Sequence, residues 1–151
     1  MSTVRASARG AVAAPADIVY GYLADYERHR PKFLPPEISG LAVDEGGVGA
    51  GTVFRCTVSA GGRSRDYRMR VAEPEPGRVL SESDLGSSLV TTFTVSPQGS
   101  GCAVRIETTW NGAGGIGGFF ERMFAPGAMR RIYADELTRL DAYARGMATQ
   151  P

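Results

Sequence analysis

The chain is poor in several residue types that would narrow its chemistry at once. Among 151 residues there are two cysteines, Cys56 and Cys102, one histidine, His29, one tryptophan, Trp110, and a single lysine, Lys32. Two cysteines this far apart make neither a metal motif nor a disulfide framework, and they read as free thiols of a reducing cytoplasm. A lone histidine without spaced partners leaves no metal site to build, and none is expected. Charge of one sign is also missing. With 17 basic and 16 acidic residues the net charge is +1, which lacks the basic footprint of a nucleic-acid binder. No apolar run approaches the ~18 residues of a membrane span. Met1 to Ala14 carries Arg5 and Arg9 and no continuous apolar stretch, so no secretory signal is expected.

What is present suits one ordinary domain over residues 1–151. Apolar residues make up 42% and charged ones 22%, enough apolar mass to bury a core without disulfides or a structural metal. Thr3 to Ala13 alternates as a strand. Pro15 to Tyr26 follows as a short amphipathic helix, with Pro15 at its first position and Asp17 in its first turn. Glu27 to Phe33 has room for another helical turn or two before Pro31, Pro35 and Pro36 end it.

The middle reads as six strands: Ile38 to Asp44, Thr52 to Ala60, Ser64 to Glu73, Arg78 to Asp84, Leu89 to Val95, and Val104 to Trp110. Alternation of apolar and polar residues gives each a buried and a wet face, as in an antiparallel sheet. Gly61-Gly62 predicts a tight hairpin. After Asn111 the period becomes helical. Ile116, Phe119, Phe120, Met123 and Phe124 form one stripe; Met129, Ile132, Tyr133, Leu137, Leu140 and Ala144 form another. Pro126-Gly127 should break the helix between them. Asp135 with Arg139, and Asp141 with Arg145, are spaced as i,i+4 pairs on its polar face.

Strand, one or two helices, six strands and a long last helix is an order that resembles the START-like (SRPBCC) superfamily. Its helix-grip fold is shared by polyketide cyclases/dehydrases, START lipid-transfer domains and birch-pollen-type allergens. Val12-Ala13-Ala14-Pro15-Ala16-Asp17-Ile18-Val19-Tyr20 resembles the superfamily's passage from strand to helix. Leu23-Ala24-Asp25-Tyr26-Glu27-Arg28 resembles its helix–helix corner, and Lys32-Phe33-Leu34-Pro35 the segment that follows. Phe119-Phe120-Glu121-Arg122 through Leu140 is similar to its final helix. The resemblance implies an α+β fold of order β-α-α-β6-α, with a curved antiparallel sheet of six or seven strands around the C-terminal helix. It also implies a cavity between sheet and helix for a small hydrophobic or aromatic ligand.

By strand parity Tyr67, Met69, Thr91, Phe93, Thr108 and Trp110 lie on inward faces, and Cys56 joins them. Each polar member is either a core group satisfied by its neighbours or a ligand contact. Phe119, Phe120, Met123 and Tyr133 belong to the helical stripes, which in this fold are core and cavity floor at once. Arg78 to Asp84 does not alternate cleanly. If Glu82 points inward it is the best acid/base candidate, and Asp84 is equally ambiguous. Arg55, Arg68, Arg70 and Arg105 fall on outward faces and read as a solvated surface. His29, between Arg28 and Arg30, is expected in solvent.

Gly112-Ala113-Gly114-Gly115-Ile116-Gly117 matches a dinucleotide-binding glycine pattern, but no parallel strand follows its helix, so it reads as a loop and no cofactor is expected. Ile116 to Phe124 is either a flap gating the cavity, with Phe119, Phe120 and Met123 at the entrance and Trp110 at its base, or a rigid kink. The partner expected is a small hydrophobic molecule, bound by a polyketide cyclase/dehydrase-like protein. A lipid or isoprenoid carrier and a protein-interaction module are the alternatives, and no feature of the sequence sets an oligomeric state.

Overall fold

The structure, a computed structural model, describes residues 3–111 and 126–149. Strand β1 (Thr3–Val12) leads into helix α1 (Ala16–Ala24) and a 3-10 turn (Arg30–Lys32). Six strands follow: β2 (Ile38–Glu45), β3 (Val53–Ala60), β4 (Arg63–Glu75), β5 (Val79–Asp84), β6 (Val90–Gln98) and β7 (Gly101–Asn111). Helix α2 (Pro126–Ala148) closes the described chain. The seven strands form one curved sheet in the order β1-β7-β6-β5-β4-β3-β2, antiparallel at every pairing. β2 to β7 therefore run as a meander, and β1 returns to pair with the last strand. This is the expected helix-grip architecture.

Local chemistry explains the joints. Gly61 and Gly62 both have positive φ, +61° and +77°, and make the two-residue turn that pairs Ala60 with Arg63. α1 ends two residues earlier than expected, because Asp25 leaves the helix with φ −98° and ψ 98°. The Asp25 carboxylate then accepts hydrogen bonds from the amides of Glu27 and Arg28, at 3.1 and 2.9 Å. This Asx-type turn competes with helix continuation, so the second helix of the expected order is only the 3-10 turn at Arg30–Lys32. Within the described residues α2 runs from Pro126, and the break expected at Pro126-Gly127 borders on residues outside them. The stripe upstream of Pro126, with Phe119, Phe120, Met123 and the expected flap, lies outside the described residues.

α2 buries Met129, Ile132, Tyr133, Leu137, Leu140 and Ala144, as its period predicts, and also Glu136. It lies along β1, where Gly10 allows close approach: a Cβ there would sit 3.4 Å from Leu137 Cβ. The Asp141 carboxylate accepts from the Ala13 amide at 2.9 Å and from Arg145 at 3.0 Å, tying helix to strand end. Asp135 pairs with Arg139 at 3.0 Å. The outward arginines are exposed, with Arg55 and Arg68 on Asp44 and Arg105 on Glu107. Cys56 and Cys102 are free thiols.

His29 is not solvated as expected. It is half-buried, its Nδ1 lies 2.7 Å from the Tyr143 hydroxyl, and its ring packs 4.8 Å from that of Tyr22. Aromatic side chains of α1 and α2 converge at the turn that carries it, and they shield the ring from water.

Candidate functional site

β5 settles the ambiguity of its sequence. Leu80, Glu82 and Asp84 are buried while Val79, Ser81 and Ser83 are only partly so, because the register sets Glu82 opposite Thr91 on one side and Val71 on the other. A carboxylate is thereby carried into the space between sheet and α2. From the opposite direction, the 3-10 turn swings Arg30 inward. Arg30 is 4% exposed, Glu82 5% and Glu136 2%, so three ionisable side chains share the interior.

Their geometry is specific. The Arg30 guanidinium is ion-paired through Nη2 with Glu82 Oε2 at 2.9 Å and donates from Nη1 to the Leu23 carbonyl at 2.8 Å. It lies 4.4 Å above the centre of the Phe93 ring and 5.1 Å from that of Tyr26, a cation–π arrangement that repays part of its desolvation. The Tyr26 hydroxyl donates to the same Glu82 Oε2 at 2.5 Å, and its ring stacks on Phe54 at 4.8 Å. Glu136 lies differently. Its Oε2 is 3.6 Å from Arg30 Nε, beyond hydrogen-bond length, and neither of these two buried atoms has a hydrogen-bond partner.

These surroundings set the protonation states. Burial pushes the Glu136 carboxyl up to about 7; Arg30 opposes the rise, and the charges of Glu82 and Asp135 add to it. For Arg30, burial works against the charge, but Glu82, Tyr26 and Glu136 outweigh it and hold the guanidinium protonated. Burial, then the Glu82 charge, raises the Tyr26 phenol. Burial also pushes the Cys56 thiol up to about 12 and the Tyr67 phenol to about 12. A thiol so placed holds almost no thiolate at neutral pH and is no nucleophile.

These groups surround an open-mouthed cavity between the sheet and α2. Its enclosed volume is about 80 Å³. The enclosed volume lies below the ~300–1,000 Å³ usual for ligand pockets, so the interior accommodates a compact guest rather than a long one. The wall is mostly apolar, with Phe54, Val58, Met69, Leu89, Phe93 and Met129 among its members. Of the residues expected from the sequence, Tyr67, Met69, Thr91, Phe93 and Tyr133 line it, as do Glu82 and Cys56. Thr108 and Trp110 are buried but do not figure among the lining residues. Thr108 lies behind the wall, its hydroxyl 2.7 Å from that of Thr91 and hydrogen-bonded to that of Tyr133.

Three members of the site escape a reading by strand parity: Tyr26, Arg30 and Glu136. Glu136 had a signal, since it stands between Tyr133 and Leu140 within the apolar stripe at helical spacing. Arg30 had none, because only the Asp25 turn directs it inward. Glu82, the acid/base candidate, does point inward, but its Oε2 already accepts from Tyr26 and is ion-paired with Arg30. The carboxyl without a hydrogen bond at Oε2 is Glu136. Among the described residues no group of three His, Cys, Asp or Glu side chains could hold a metal ion.

Residues 3–145 match the family described as polyketide cyclase / dehydrase and lipid transport. No curated protein matches the chain. Among solved structures, the KanY protein is 39% identical, with 97% of this chain and 100% of that one covered and a TM-score of 0.85. The Zhui aromatase/cyclase from a Streptomyces species is 20% identical over 97% of this chain and 96% of its own, with a TM-score of 0.73. Norcoclaurine synthase from Thalictrum flavum, solved with dopamine and hydroxybenzaldehyde, is 17% identical over 99% and 90%, with a TM-score of 0.71. At these identities the last two speak for the fold alone.

Proposed function

Because the chain belongs to the polyketide cyclase / dehydrase and lipid transport family, we propose that it binds a small hydrophobic or aromatic ligand between the sheet and α2. The observation that carries this reading is the cavity wall: apolar nearly throughout, with its ionisable groups gathered at Arg30, Glu82 and Glu136. That is the composition of a small-molecule site, in which apolar surface supplies affinity and a few placed polar groups fix orientation. Tyr67, Met69, Thr91, Phe93 and Tyr133 touch the ligand. Thr108 orients the Tyr133 hydroxyl and Trp110 backs the sheet; the expected contacts Phe119, Phe120 and Met123 lie outside the described residues.

On this reading residues 1–151 are one START-like domain working in the cytoplasm, where the two free thiols stay reduced. Where turnover accompanies binding, the chemistry is aldol cyclisation or dehydration of a poly-β-ketone. The cavity contributes proximity by holding the chain folded, and its carboxyls move protons.

Native mass spectrometry of the purified protein, before and after organic extraction, tests the proposal. A 1:1 adduct of a small aromatic or polyketide-like compound supports it, and conversion of an added poly-β-ketone thioester extends it to catalysis. A bound phospholipid or isoprenoid without turnover assigns the cavity to a carrier instead. Failure to bind any apolar compound, alongside stoichiometric capture of a protein partner, overturns both.

A further inference from the structure

Glu136 is 2% exposed and borders the cavity from α2, yet its Oε2 accepts no hydrogen bond. A buried carboxyl oxygen normally finds a donor, and one that does not calls for an explanation. Arg30 Nε, itself without a partner, stands 3.6 Å away, beyond hydrogen-bond length, and the other nearby donors are engaged elsewhere. Arg30 gives its two terminal nitrogens to Glu82 and the Leu23 carbonyl, Tyr26 donates to Glu82, and the Tyr133 hydroxyl is engaged with Thr108. The acceptor therefore stands ready for something that enters the cavity.

The charges around it restrict what that is. A ligand cation would meet the Arg30 guanidinium, whose Nε is already 3.6 Å from Glu136. A ligand anion would meet two carboxyl groups, Glu82 and Glu136, with one arginine among the described cavity-lining residues to offset them. Both would also lose hydration on entering an apolar enclosure. An uncharged donor avoids all three costs.

We propose that Glu136 is the polar anchor of this cavity and accepts a hydrogen bond from the hydroxyl of an uncharged ligand, a phenol, enol or alcohol. The inference deepens the ligand-binding reading and rests on it. The ligand's apolar body packs on the Phe54, Met69 and Phe93 side while its hydroxyl points at the helix. Hydroxyl-to-carboxylate hydrogen bonds are among the stronger ones because the acceptor is charged.

Four probes of one shape test this: naphthalene, 2-naphthol, 2-naphthoate and 2-naphthylmethylammonium, titrated calorimetrically at pH 8. 2-Naphthol is expected to bind roughly 10–100-fold more tightly than naphthalene, the span of one hydrogen bond to a charged group. Both ions should bind more weakly than naphthalene. In Glu136→Leu the preference for 2-naphthol over naphthalene should disappear, whatever the absolute affinity of either. Equal affinities of 2-naphthol and naphthalene for the unaltered protein overturn the anchor and leave the cavity reading standing, with no variant needed. A preference that survives Glu136→Leu, or tightest binding by the ammonium or the carboxylate, also overturns it. If none of the four binds, the ligand-binding reading falls and the anchor falls with it.

Discussion

Glu136 Oε2 stands 3.6 Å from Arg30 Nε, near enough to attract and too far to hydrogen-bond, and the stability of the interior turns on that spacing. Arg30 is the one cation between two buried carboxyls, and it joins the 3-10 turn, β5 and α2. Arg30→Met should leave Glu82 and Glu136 buried beside one another without a counter-charge. Breaking a buried pair from one side costs about 3–5 kcal/mol. Urea unfolding should show a loss in that range, and the double variant Arg30→Met/Glu82→Gln should recover part of it. A loss below about 1 kcal/mol, the value of an exposed pair, would contradict the burial described here.

Much of this arrangement was legible in the sequence and part was not, for physical reasons. Period-2 alternation marked the inward faces of β3, β4, β6 and β7 because each strand has one wet face. Tyr67, Met69, Thr91 and Phe93 were placed correctly on that ground alone. β5 defeated the same test because its inward face carries Glu82 and Asp84, which look like surface residues until a buried arginine is known. That arginine was hidden by the turn at Asp25, a side-chain-to-backbone device with no periodic signature. The half-burial of His29 has no local signal because the Tyr143 side chain that covers it comes from α2, distant in sequence.

Stability should fall with rising pH on account of Glu136. Its carboxyl is raised from an ordinary value of 4.5 to about 7 in the folded protein, chiefly by burial. Between those values the folded state holds a proton that the unfolded state has lost, so raising the pH favours unfolding. The contribution is fully present below about pH 4.5 and is lost as pH rises through about 7. Arg30 on the turn, Glu82 on β5 and Asp135 on α2 itself are the charges that act on it. At ~1.4 kcal/mol per pKa unit the span is on the order of 3 kcal/mol. Denaturation midpoints from pH 5 to 8 should decline in the unaltered protein relative to Glu136→Gln, which lacks the titrating group. Parallel pH curves for the two proteins would sink the prediction.

Two glycines should respond to alanine with opposite signs. At Gly101 a Cβ would lie 2.6 Å from the Val12 carbonyl oxygen, a contact that only backbone movement can relieve. Gly101→Ala should cost about 1–3 kcal/mol, the range of overpacking in a tight site. Gly21 lies within α1, with nothing within 4 Å of its added Cβ. There alanine lowers the entropy of the unfolded chain and should stabilise by about 0.5–1 kcal/mol. Thermal melts of both variants check the pair, and like signs would refute the packing assigned to Gly101.

Cys56 offers a chemical readout of the cavity wall. Burial, with the Glu82 charge adding to it, pushes its thiol from 9.0 up to about 12. At pH 8 that leaves roughly a thousandfold less thiolate than an ordinary cysteine holds, and thiolate is the reactive form. A more basic thiolate is intrinsically more nucleophilic, and with a Brønsted slope near 0.45 three pKa units return roughly twentyfold. The net expectation is alkylation tens of times slower than in the unfolded chain, before any steric protection. Cys102→Ser isolates the reaction to Cys56, because the other thiol is removed. Iodoacetamide labelling of that variant, followed by mass at pH 8 with and without urea, should show the difference. Alkylation of the folded protein at the unfolded rate would mean that Cys56 faces water rather than the wall shared with Tyr67, Phe54 and Glu82.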